Sequence, residues 1–97
     1  MHVLRVCKDS DGKEPLGQLC EASRTKRLLW CAKGTSNAIA DTADYNLAMT
    51  LASAYVNEPA DLTRYLRKVG APPGQYYVVL WNVGRHGPDA ALEFELE

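Results

Sequence analysis

Apolar residues recur along this chain with two different periods. Near both ends they come in short runs or alternate with polar residues, as strands do; in the middle they recur every three or four residues, as on one face of a helix. Val3, Leu4, Val6 and Cys7 make a first β-rich run, with Arg5 and Lys8 free to face water. Asp9-Ser-Asp-Gly-Lys-Glu-Pro15 breaks it with turn residues. Leu16 to Ala22 predicts a second strand, Ser23-Arg-Thr-Lys26 a polar turn, and Arg27-Leu-Leu-Trp-Cys-Ala-Lys33 a third strand apolar enough to be central.

After Gly34-Thr-Ser-Asn37 the period changes. Ile39, Ala43, Leu47, Leu51, Ala54 and Tyr55 share one helical face, and the helix should end near Asn57. Thr35, Ser36 and Asn37 are suited to capping an early start and Asp41 a later one; Asp41 and Asp44 suit the positive end of the helix dipole. Glu58-Pro59 opens a second helix, because proline's missing N–H goes unneeded in a first turn. Leu62, Tyr65, Leu66 and Val69 form its stripe, Arg67 and Lys68 lie near its end, and Gly70 offers a left-handed cap.

Strand periodicity returns at Gln75. Leu92, Phe94 and Leu96 alternate with Glu93, Glu95 and Glu97, so the last strand has one face to bury. Gln75 to Val83 is apolar or aromatic on both faces: Tyr76, Val78 and Leu80 on one, Tyr77, Val79, Trp81 and Val83 on the other. Between these strands Gly84-Arg-His-Gly-Pro-Asp89 supplies turn chemistry. The pattern therefore predicts an α+β fold in one compact domain over residues 1–97. Its elements run βββ-αα-ββ, a mostly antiparallel sheet of about five strands with two helices packed on one face.

Composition changes this picture little. The 97 residues are 46% hydrophobic and 24% charged with a formal net charge of −1, a globular profile without the basic field of a dedicated nucleic-acid binder. The N-terminus reaches charge at once and no apolar stretch approaches a bilayer span, so neither a signal peptide nor a membrane anchor is expected and the location expected is cytoplasmic. Cys7, Cys20 and Cys31 are widely spaced, each within an apolar run, and read as buried free thiols.

Chemical motifs are sparse. Gly84-Arg-His-Gly87 is a candidate anion loop with His86 as acid or base, but it lacks the length and the Lys-Ser/Thr of a phosphate loop, and a strand follows it. The turn reading is preferred. Asp9 to Glu14 resembles a calcium loop only in fragments, with its glycine fourth rather than sixth. Asp41, Asp44, Glu58 and Asp61 are explained by helix starts. His2 and His86 are isolated imidazoles. No enzyme is read here, and no metal or cofactor site.

Two basic groups, Arg24/Lys26/Arg27 and Arg64/Arg67/Lys68, are candidates for phosphate or for an acidic partner. Trp30, Tyr77, Val79 and Trp81 carry the stronger signal. Helices cover only one face of a single sheet, and these residues would leave an apolar patch on the other, the mark of a binding surface. The function expected is a small protein-binding module, an inhibitor or adaptor of a macromolecular machine, whose partner is another protein or a second copy forming a homodimer. Phage-type inhibitors of host defence, anti-CRISPR proteins among them, share this size and bare profile, an analogy that stops there. A nucleic-acid-binding regulator using the two basic groups is the alternative.

Overall fold

The computed structural model describes residues 2–21, 28–31 and 45–97. Three strands, β1 (His2–Cys7), β2 (Pro15–Glu21) and β3 (Leu28–Cys31), precede helices α1 (Tyr45–Asn57) and α2 (Ala60–Lys68), and β4 (Gly74–Asn82) and β5 (Gly87–Leu96) close the order. The strands form one antiparallel sheet in the order β3-β2-β1-β4-β5. The α+β class, the antiparallel sheet and the two helices follow the hydrophobic pattern. The first part of the expected α1 stripe, Ile39 to Asp44, lies outside the described residues, as do the Ser23–Lys26 turn and the ends of the third strand at Arg27, Ala32 and Lys33.

Alternation divides the central strands between two faces. Leu4 and Val6 of β1 stand opposite Leu80 and Val78 of β4. Together with Tyr76, Phe94 and Leu96 they form a buried cluster that takes in Ala52 from α1 and Leu62 and Leu66 from α2. Leu4, Val6, Leu62, Leu66, Val78 and Leu80 have no exposed surface. Burying a side chain of this size is worth roughly 1.5–3 kcal/mol, so this cluster is what holds the helices on the sheet.

The amphipathic stripe of α2 explains its docking, and its ends explain its length. Thr63 N–H donates to the Pro59 carbonyl at 2.8 Å to open it. At the other end Gly70 takes φ +77, and Ala71 N–H reaches back to the Leu66 carbonyl at 2.9 Å. That long backward bond past a left-handed glycine is a standard way to satisfy final-turn carbonyls. Tyr76 Oη donates to the Pro72 carbonyl, pinning the segment between α2 and β4.

The last hairpin turns more tightly than the pattern predicts. The bend is Val83 to His86, and β5 already begins at Gly87, so Pro88 and Asp89 belong to the strand. The register slips between Leu80 and Trp81, where Ala90 pairs with Leu80 but Pro88 with Trp81. A bulge on an edge strand is one of the few places in a sheet that tolerates proline. The left-handed position in the bend is filled by His86, at φ 54, rather than by either neighbouring glycine. Asn82 stabilises it by accepting the Arg85 N–H at 3.1 Å on its Oδ1.

Candidate functional site

The β4–β5 hairpin end gathers a polar cluster that the sequence did not reveal. His2 Nε2 lies 2.5 Å from Asp89 Oδ2. A carboxylate only accepts, so Nε2–H is the donor. Asn82 Nδ2 donates to the same oxygen at 3.1 Å, and the Arg85 guanidinium pairs with Asp89 Oδ1. The His2 ring packs edge-on against Tyr45, with centroids 6.0 Å apart. His2 is 6% exposed, and its buried Nδ1 has no hydrogen-bond partner among the described residues. Asp89 of β5 thus fastens the first strand to the last hairpin through His2, while Arg85, among the described residues, contacts only those of the hairpin itself. Cys7, the described thiol, stands opposite Tyr77 at the far end of the β1–β4 ladder from His2 and Asn82. The histidine and the thiol are therefore not a catalytic pair.

On the sheet face opposite the helix-packed cluster, Val3, Arg5 and Cys7 stand opposite Trp81, Val79 and Tyr77. This is the face where an open aromatic patch was expected, and Gly12 of the β1–β2 loop lies against Trp81 and Val79 there. Gly12, in the left-handed region at φ +73, lies so close that an added methyl group would sit 3.0 Å from Trp81 Cε3 and 3.1 Å from Val79 Cγ1. Arg5 lies over the Trp81 ring at 4.0 Å and donates to the Gly12 carbonyl at 3.3 Å. A cation over an indole face adds about 1 kcal/mol in such partly dry sites.

The loop owes its shape to Asp9, whose carboxylate accepts the Lys13 and Glu14 N–H groups at 3.0 and 2.9 Å. Desolvation opposes ionisation of Asp9, but these backbone donors and the Lys13 charge outweigh it and lower its pKa. Both Asp9 carboxylate oxygens are used by the backbone.

Val79 is fully buried, and Trp81 and Tyr77 are half-buried, so they do not stand out as free anchors. Trp30 lies in β3 opposite Leu19 of β2. Burial pushes the Cys7 thiol up to about 12, with the Asp9 charge adding to the effect and Arg5 opposing it.

Beyond the loop, β4 and β5 remain open. Gln75, Ala91, Glu93 and Glu95 are exposed around half-buried Tyr77, which pairs with Glu93. A depression of about 340 Å³ is lined by Gln75, Glu93, Phe94 and Glu95. Strand β5 is an edge: among the described residues its only strand neighbour is β4. Edge strands present unpaired backbone N–H and C=O groups.

Of the two basic groups, Arg24, Lys26 and Arg27 lie outside the described residues. Arg64, Arg67 and Lys68 are exposed on α2. Arg64 pairs with Asp61 at 2.9 Å and lies over Tyr65, and Arg67 donates to the Glu97 carbonyl at 3.2 Å. No described helix is long and apolar enough to cross a membrane. Comparison with known protein families, characterised proteins and solved structures finds no match to this chain.

Proposed function

We propose that the protein is a non-enzymatic binding module for another protein, acting as an inhibitor or adaptor in the manner of small phage-encoded anti-defence proteins such as anti-CRISPRs. The observation that supports this reading is the outer edge of β5, a strand of 10 residues at the end of the sheet, beside an open depression. Addition of a partner strand to such an edge is a common mode of peptide recognition. The interface moves accordingly from the covered Trp81 and Val79 to β5 and half-buried Tyr77.

The nucleic-acid alternative gains less, because two of the three α2 cations already have partners within the chain. A photo-crosslinking amino acid at exposed Ala91 of β5, with Lys68 of α2 as the control position, tests the proposal in extracts of the producing cell or its host. A discrete protein adduct from position 91 and none from position 68 is the expected result. Adducts with nucleic acid from position 68 would put the alternative first.

A further inference from the structure

We propose that the outer edge of β5 accepts an extended segment of another protein as an added strand, and that this segment carries lysine or arginine at every second position. The proposal rests on the protein-binding reading above and specifies its partner.

The binding feature is the backbone. In an antiparallel ladder a strand bonds its neighbours on two sides, and among the described residues β5 has only β4, so its outward N–H and C=O groups are left for a partner. Side chains decide which strand fits there. On the helix-packed face Leu92 is half-buried while Phe94 and Leu96 are buried, so an incoming strand extends an apolar rim on that side.

On the other face Glu93 and Glu95 are exposed, roughly 7 Å apart by strand geometry, which is also the spacing of alternate side chains on any added strand. The depression lined by Gln75, Glu93, Phe94 and Glu95 gives a long cationic side chain room between the two carboxylates. Among the described residues Glu93 accepts only the neutral Gln75 amide, and no cation pairs with Glu93 or Glu95.

A second copy of the chain fits less well. Residues 87–97 include Asp89, Glu93, Glu95 and Glu97 and no lysine or arginine. Pairing two β5 edges about a two-fold axis at Glu93 or Phe94 sets glutamate against glutamate, and like charges directly opposite oppose pairing. The same carboxylates discourage self-association and select a basic strand.

Three capped heptapeptides provide the test: alternating lysine–valine, glutamate–valine and threonine–valine, each titrated into isotopically labelled protein and followed through backbone amide shifts. The lysine peptide should move the amides of Ala91 to Leu96, weaken as salt is raised, and bind at least tenfold less tightly to a Glu93→Lys/Glu95→Lys variant. A Glu93→Gln/Glu95→Gln variant should fall between, and serves alone if the lysine variant does not keep the native amide pattern. Equal shifts at β5 from all three peptides would overturn the charge rule while leaving strand addition intact. No shift at β5 from any peptide would overturn strand addition itself. Concentration-dependent dimerisation through β5 in sedimentation would replace the basic partner with a second copy.

Discussion

His2 and Asp89 stand 87 positions apart in the chain and meet through a 2.5 Å hydrogen bond that ties the first strand to the last hairpin. Asp89 also receives Asn82 and Arg85, so one carboxylate organises both the turn and the strand beside it. Asp89→Ala should therefore strand a buried imidazole N–H and free the turn. Removing one partner of a buried polar pair costs about 1–3 kcal/mol. Urea denaturation should show a loss of that size, whereas Asp11→Ala, at an exposed site in the first loop, should shift stability by less than about 0.5 kcal/mol. Equal effects would mean that the His2–Asp89 tie contributes nothing.

Gly12 is the second test of a long-range contact. Its left-handed φ of +73 and the 3.0 Å approach that a methyl group would make to Trp81 both oppose a side chain. Gly12→Ala should destabilise the fold by roughly 1–3 kcal/mol through overpacking and backbone strain. It should also lift the loop from the indole. In a Trp30→Phe background the emission of Trp81 should move to the red in folded Gly12→Ala protein. An unchanged spectrum and stability would place the loop elsewhere.

Cys7 supplies a pH test. Its thiol, normally at 9.0, is pushed up to about 12 by burial. Between these values the unfolded chain loses the proton and the folded chain keeps it, so stability falls as pH rises through this window. Cys7→Ala should be less stable near neutrality, because it empties buried space, yet show a shallower decline above pH 9. In the native wild type an alkylating reagent should modify Cys7 slowly at pH 8, and rapidly once urea unfolds the chain. Fast modification of Cys7 in the folded state would contradict its burial.

Leu66 and Lys68 sit two positions apart on α2, yet one is fully buried and the other exposed. Leu66→Ala should cost about 2–5 kcal/mol and Lys68→Ala less than about 0.5 kcal/mol in chemical denaturation. Similar losses for the two would reject the helix register.

These residues also show what the sequence could and could not disclose. The stripe of α2 was legible because a helix displays its buried face within a few residues of chain. The double apolar pattern of Gln75 to Val83 was legible too, and it correctly announced a strand with two faces to account for. What covers the second face was not legible: that depends on Gly12, more than sixty residues away, folding back over Trp81. The His2 tie was hidden for the same reason. Two isolated histidines and a turn aspartate carry no shared motif, and only the placement of β1 beside β4 brings His2 to Asp89. The open edge followed from sheet order as well, which period-two alternation does not encode.

The position of β1 between β2 and β4 has a consequence for how the chain is made. During synthesis β2 follows β1 after a short loop, but β4 begins only at residue 74, after both helices. Until then β1 has one satisfied side and one bare side, with Leu4 and Val6 lacking their β4 partners. Pairings so distant in sequence are slow to form, and unpaired strands are aggregation-prone while they wait. The nascent chain is thus most exposed to misassembly after β1 and β2 emerge and before the final hairpin arrives, and a chaperone that shields the bare side of β1 would act in that interval.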